Sequence, residues 1–292
     1  YMQRDTVKIT ASDGISGVAK VEVKKDSGYW EEITGTYGNG YTVEENGTYT
    51  FRVYDNAGNY KTASLKYGNI DTQKPVVTIV ATHGGAAYTS GVWTNKDITL
   101  TPENETSNLG TTTYQYRVDG GEWQDYTTGI VISTDTDADG VVYEFMATSD
   151  SDVKSDVVSI TVKRDTVAPE GDITIKENSI RQLLSAITFG LFFNEDVDVD
   201  ITGKDDFSGV SSIQYYRSEE ILVDDELTSL TGWTDYVGTI HETAEDAEKF
   251  IYYVKVTDKA GNITRFASDG VVFDLTNPVM DGIVNGSAYY TT

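Results

Sequence analysis

The chain has no cysteine, and that absence closes several routes at once. Disulfide bracing, thiolate nucleophiles and cysteine-held zinc are all excluded. Histidine is nearly missing as well. His83 and His241 are the only two, they lie far apart, and neither has a cysteine to work with. No G-x-S-x-G elbow or other nucleophile motif occurs. Positive charge is scarce: 22 Lys and Arg face 47 Asp and Glu, for a net charge of −25. Nucleic acids and anionic membrane surfaces repel such a chain. No stretch approaches the roughly 18 apolar residues of a membrane span, and no signal peptide opens the chain. Membrane insertion within this fragment is therefore not expected.

What remains is enough for folded cores. Hydrophobic residues make up 38% of the chain and include 20 tyrosines, which argues against disorder. A length of 292 residues points to two or three domains. With so many acids, carboxylate pairs of glycosidase type arise by chance, and small sandwiches without long loops rarely form a deep cleft. The chain is read as non-enzymatic, with no catalytic residue assigned.

Self-comparison organises the sequence. Asp71-Thr-Gln-Lys-Pro75, Asp165-Thr-Val-Ala-Pro169 and Asp274-Leu-Thr-Asn-Pro278 each place Pro four residues after Asp, and three of the four prolines sit in these junctions. They recur about a hundred residues apart, the size of one β-sandwich. The expected repeats are residues 1–70, 71–164 and 165–273, with 274–292 opening a further one. Inside each, alternating strands follow one order: Val7 to Ala11, Asp97 to Thr101, Val197 to Ile201, then Val21 to Val23, Tyr114 to Val118 and Ile213 to Tyr215. The turn Asp13-Gly-Ile-Ser-Gly-Val18 returns as Asp205-Asp-Phe-Ser-Gly-Val210. Trp30, Trp123 and Trp233 recur next. Aromatic strands then run into Asp55-Asn-Ala-Gly-Asn59 and Asp258-Lys-Ala-Gly-Asn262, whose glycines suit the positive φ of a hairpin bulge. Period-2 alternation between Gly, Asn and Asp turns indicates an all-β sandwich. Tyr49, Tyr143 and Tyr252 each stand two residues before a hydrophobe, the spacing of a tyrosine corner.

These residues, S-G-V, W-x-x-[YI], Y-x-F and D-x-A-G-N, resemble tandem bacterial immunoglobulin-like repeats of Gram-positive, gut-type cell-wall-anchored surface proteins. The lack of disulfides, usual in secreted eukaryotic modules of this type, leans the same way. The resemblance implies an extracellular, cell-surface protein acting in adhesion or host-protein binding, with immunoglobulin as the first partner to test and a glycan as another. Passive spacing and carbohydrate binding are the competing roles. The second repeat departs from the pattern, with Ser149-Asp-Ser-Asp152 where the others have D-x-A-G-N, so its last hairpin is expected to be built differently. The third resembles a variant with a helix near 179–188, where Ile180, Leu183, Leu184 and Ile187 share a face. That helix is expected to close the sandwich. It would instead bind a partner if Phe189, Leu191, Phe192 and Phe193 were exposed together.

Pro278 to Tyr289 echoes Pro75 to Tyr88, the opening strand of the second repeat. The first repeat is thus expected to lack its opening strand, and 279–290 to form a strand without its own domain, an edge inviting another chain. Asp135-Thr-Asp-Ala-Asp-Gly140 matches the first half of an EF-hand loop, but Met146 occupies position 12, where a bidentate Glu is needed. An acidic turn before a strand explains it without a metal. Calcium at Asp135, Asp137 and Asp139, or at junction aspartates such as Asp165 and Asp274, is the minor alternative, and no cofactor is assigned. The recurrent tryptophans read as hairpin or core residues rather than a sugar platform. Specificity is expected in what differs between repeats: Trp93, the insertion Ser218 to Thr231 with a helical turn at Asp224 to Leu227, and the helix of the third repeat.

Overall fold

The structure, a computed structural model, describes the chain except residues 107, 176–177, 180–188, 286–287 and 291–292. For 178–179, 283–285 and 288–290 it describes the backbone alone. Two compact units are present: Tyr1–Gly91 with Ile98–Ile132 and Gly140–Val162, and Val92–Asp97 with Ser133–Asp139 and Lys163–Thr292.

The first repeat contains β1 (Asp5–Val7), β2 (Val18–Lys25), β3 (Glu31–Glu32), β4 (Tyr41–Val43), β5 (Gly47–Asp55) and β6 (Tyr60–Tyr67). The strands form a β3-β2-β5-β6 sheet and a β1-β4 pair. Val21 and Val23 of β2, Tyr49 and Phe51 of β5, and Val7 and Val43 of the pair meet in one buried cluster. Alternation places their neighbours outside. Asp55 shapes the β5-β6 turn by accepting from the N–H groups of Ala57 and Asn59, and Gly58 adopts φ 90°. Asp258 and Gly261 repeat the device in the third repeat, with φ 93° at the glycine.

The second repeat contains β7 (Val77–His83), β8 (Ala86–Ala87), β9 (Trp93–Thr94), β10 (Ile98–Asn104), β11 (Thr112–Val118), β12 (Gln124–Asp125), β13 (Ile130–Ile132), β14 (Val141–Ser149) and β15 (Val158–Arg164). Its sheets run β13-β10-β7-β8 and β12-β11-β14-β15, with β9 parallel to the end of β15. Phe145, Ala147, Ile98 and Leu100 are fully buried between them. As expected, its last hairpin is built differently: the Ser149 N–H donates to the Val153 carbonyl, the Ser149 and Ser151 hydroxyls pair, and Asp152 adopts φ 61°.

The third repeat contains β16 (Glu170–Ile175), β17 (Asn178–Ser179), β18 (Phe189–Phe193), β19 (Val197–Lys204), β20 (Val210–Ser218), α1 (Asp224–Ser229), β21 (Thr234–Asp235), β22 (Ile240–Glu242), β23 (Lys249–Asp258), β24 (Ile263–Ala267) and β25 (Gly270–Phe273). Sheets β17-β16-β19-β22 and β18-β25-β23-β20-β21 enclose the core, with β24 on β23. The helix expected near 179–188 lies outside the described residues, save Ser179, which belongs to β17. Residues 279–290 form not one strand but two, β26 (Ile283–Asn285) and β27 (Ala288–Tyr290), paired only with each other among the described residues. The architecture is all-β: tandem immunoglobulin-like sandwiches.

The three repeats differ most at their opening strand. β10 pairs with both β13 and β7, and β19 with both β22 and β16. Their register-equivalent β1 pairs with β4 alone among the described residues. A stub remains: the Met2 N–H donates to the Asn69 carbonyl, and Met2 bridges Ile70 in parallel. That matches the parallel pairings of β9 with β15 and of β18 with β25.

Candidate functional site

The first sequence candidate, Asp135 to Gly140, is the turn leading into β14. Asp135 is held by the Arg164 guanidinium at 2.7 Å and by the Thr166 hydroxyl and N–H. Arg164 also pairs with Asp97 at 2.9 Å. Thr136 is buried; its N–H donates to the Arg164 carbonyl, and its hydroxyl oxygen accepts from the Arg164 N–H. Asp137 accepts from the Asp139 N–H. The stretch therefore meets a protein cation where an EF-hand would hold calcium, and its three carboxylates do not converge.

The junction aspartates share a structural task that the sequence pattern only hinted at. The backbone N–H groups of Asp71, Asp165 and Asp274 donate to the carbonyls of Met2, Thr94 and Phe193, at 2.9, 3.0 and 2.9 Å. Each carboxylate then accepts from the N–H two residues on, at Gln73, Val167 and Thr276, an Asx-type turn that fixes the linker. The second oxygen of Asp71 accepts from the Leu109 N–H, and that of Asp165 from the Ser208 N–H. Each of these two thereby ties a linker to the loop of the following repeat.

Asp165, Asp205 and Asp258 bring carboxylate oxygens within 4.8 Å of one another, the single such group among the described residues. Asp165 and Asp258 are buried. These are hard oxygen ligands of the kind that hold Ca²⁺, and they are the residues of this chain that could take a cation. Backbone donors already serve them, however. Phe207 and Gly209 donate to Asp205, and Gly261 and Asn262 to Asp258. Two of the three come from the recurrent D-x-x-S-G and D-x-A-G-N turns, so loop building accounts for them without a ligand.

The recurrent tryptophans lie on the outer faces of the sheets, half-buried and covered by cations. The Arg52 guanidinium sits 3.9 Å from the Trp30 ring centre, Arg117 4.8 Å from Trp123, and Lys255 Nζ 4.8 Å from Trp233. Arg52 also binds Glu22 and Arg117 binds Glu144, each at 2.7 Å across neighbouring strands. A sugar needs a bare ring face, and these faces are already in use. Trp93, on β9, lies under Lys163 at 5.4 Å. Of the corner tyrosines, Tyr49 donates its hydroxyl to the Glu45 carbonyl at 3.1 Å, and Tyr252 bonds the Glu242 carboxylate instead. Burial, reinforced by Glu242, pushes the Tyr252 phenol far above its ordinary range. Tyr143 makes no such bond among the described residues.

The insertion of the third repeat is not a free loop. Its helical turn forms as α1, whose first turn is tied by Glu226 accepting the Val223 N–H. Leu227 is 1% exposed and packs on Ile251, Tyr253 and Ala267. The Leu222 N–H donates to the Tyr253 hydroxyl. Phe189, Leu191 and Phe193 are partly buried against the cores, leaving Phe192 the exposed one of the four at 65%. The condition for a partner-binding helix is not met. Sequence reading missed this second core, although its signal was present: Phe250-Ile-Tyr-Tyr-Val254 breaks alternation, as a strand buried on both faces does.

No catalytic constellation is assembled among the described residues. His83 stacks edge-on to Tyr88, and His241 faces Asp198 on exposed strands. No protein-family model matches this chain, and no curated protein does. Among solved structures, it is similar to three N-terminal domains of the highly immunogenic outer capsid protein of bacteriophage RB49, at 13% identity and TM-score 0.40, covering 94% of this chain and 98% of that one. Immunoglobulin domains 1–4 of Sidekick-1 align at 13% identity and TM-score 0.37, covering 94% and 72%. A 1.5-MDa bacterial ice-binding adhesin aligns at 14% identity and TM-score 0.33, covering 90% and 88%. Scores this low carry no weight for function, and the immunoglobulin-like architecture rests on the strand pairing above.

Proposed function

We propose that this chain is a non-enzymatic segment of an extracellular, cell-wall-anchored bacterial surface protein, built of repeats 1–70, 71–164 and 165–273, and acting in adhesion to a host protein. One observation carries the reading. The recurrent polar and aromatic residues serve each repeat's own scaffold, whereas large apolar side chains stand in water at loop tips: Ile15 at 100% exposure, Tyr29 at 99% and Val237 at 96%. Recognition residues sit on loops held by rigid frames, and aromatic anchors dominate protein interfaces. The charge of −25 favours a basic or neutral protein surface over nucleic acid or lipid.

Host immunoglobulin is the first partner to test. Pull-down of immunoglobulin by the whole chain, lost in a Tyr29→Ala, Ile15→Ser or Val237→Ser variant that still folds, supports capture. Failure of the intact chain against a panel of host proteins sinks adhesion and leaves the spacer role. Hits on a glycan array would instead favour a carbohydrate-binding module.

A further inference from the structure

The charge of the chain is unevenly spread. Residues 1–70 hold eight Lys and Arg against nine Asp and Glu, whereas residues 165–273 hold eight against 22. The contrast is sharpest on the outer face of the β3-β2-β5-β6 sheet. Val21, Val23, Tyr49 and Phe51 point into the core, so alternation turns Lys20 and Lys24 of β2, Arg52 and Tyr54 of β5, and Tyr60 and Lys66 of β6 to the opposite side. In the sister repeats the opening strands β7 and β16 belong to the other sheet. An opening strand therefore does not touch this face.

The outward side chains form one cluster. The Arg52 guanidinium lies 3.9 Å from the Trp30 ring centre, 4.9 Å from that of Tyr54 and 5.7 Å from that of Tyr60. Lys24 stands 5.1 Å from the Trp30 ring. Lys20 and Arg52 share Glu22, and Lys25 pairs with Glu45. Lys24 and Lys66 enter no ion pair among the described residues. Tyr60 is 62% exposed. Arg, Trp and Tyr are the side chains that most often anchor protein interfaces. Joined to two unpaired lysines, they fit an acidic surface with apolar side chains set among its carboxylates.

The third repeat carries such a surface, and carries it on the equivalent face. Lys255 over Trp233 is the counterpart of Arg52 over Trp30. There the insertion Ser218 to Thr231 lies on the sheet, with Leu227 against Ile251 and Tyr253. In the first repeat only residues 26–30 join β2 to β3, and nothing lies on the face among the described residues. The insertion's outer side presents Glu219, Glu220, Asp224, Asp225 and Glu226 with no base in the segment. Ile221 and Val223 stand among them, 47% and 61% exposed. Leu227 and the Leu222–Tyr253 hydrogen bond hold this ledge in place. We infer that the outer face of the first repeat of one copy docks the acidic insertion of the third repeat of a second copy, lysines meeting carboxylates and tyrosines meeting Ile221 and Val223. The inference is independent of any host partner.

Sedimentation velocity on the full chain over a wide concentration range tests this. At about 150 mM salt, charges more than roughly 8 Å apart are largely screened, so contacts within the patch outweigh the net charge. Three variants are compared with the wild type: Lys24→Glu with Lys66→Glu, Glu219→Lys with Glu220→Lys, and all four changes on one chain. The wild type is expected to associate as concentration rises. Each pair of reversals alone should weaken association at least about tenfold, and the fourfold variant should recover most of it, because the charges again match. The glutamate reversals also make the chain less negative. If overall repulsion alone governed association, that variant would associate more strongly than the wild type, which overturns the proposal. A wild type that stays monomeric at its highest soluble concentration overturns it too, as does a fourfold variant that stays weak or association that the reversals leave intact.

Discussion

The first and third repeats share a plan, but the third adds strands, among them β16 and β18, and the helix α1. In the third, β16 lies across β19 and seals Val256 and Phe266, and a second cluster around Leu227 seals the opposite face of the sheet. In the first, both faces of β6 meet water. The comparison teaches how little the recurrent motifs contribute by themselves. The Asp-Gly turns, the Trp under a cation and the acidic turn before the long strand are present in both. What separates a sealed sandwich from an open one is apolar cover, worth about 25 cal/mol per Å² removed from water.

The outer faces differ for a reason already written in composition. Ile251 and Tyr253 of β23 have Thr48 and Thr50 as counterparts on β5. A polar outer face needs no lid, and only the third repeat has the insertion that supplies one.

Truncations on the counterpart strands β24 and β6 break the comparison most sharply. Phe266→Ala empties a sealed site and is expected to cost about 3–5 kcal/mol. Leu65→Ala, at an open one, should cost about 0.5 kcal/mol; denaturant unfolding of each variant measures both. Equal losses would mean the first repeat's core is closed after all. Leu227→Ala should follow at about 2–4 kcal/mol, because the second cluster loses its centre, and fluorescence of the neighbouring Trp233 should shift to the red. A smaller effect is expected from Gly203→Ala, whose Cβ would meet Val256 at 3.0 Å and Ile213 at 3.1 Å. Overpacking there should cost about 1–3 kcal/mol. The first repeat already tolerates Ala11 at the corresponding position, where no opening strand presses.

The smallest effect is on pH dependence. Backbone donors from Ser16, Ile15 and Gly17 hold the Asp13 carboxyl below its usual range, and the Asn59 amide does so for Asp55. The Lys20 ammonium, then Arg52, lowers Glu22. A carboxyl depressed in the folded state contributes stability above its unfolded value, and that contribution is lost as pH falls through the folded one. The melting midpoint of the first repeat should therefore be flat from about pH 8 to 5 and decline below about pH 4. A decline starting near neutrality would point to other groups.

Much of this was legible in the residues. Period-2 alternation, the D-x-A-G-N turns and the tryptophan spacing locate most of the strands, because each records a local backbone demand, but the strand expected over Val7 to Ala11 is regular only at Asp5–Val7. Asp165 was harder to read: its junction position was visible, but its bond to Ser208 depends on how the next loop returns. Likewise Asp135 matched a calcium pattern in one dimension, while Arg164, 29 positions later, decides its partner. Long-range pairing, not residue type, set both outcomes.

The most direct test is hydrogen exchange on the dilute chain, comparing the central amides of β5 with those of β23. If the open face governs stability, β5 amides should exchange at least about a hundredfold faster than β23 amides, reporting a lower local opening energy. Equal protection in the two strands would contradict the account.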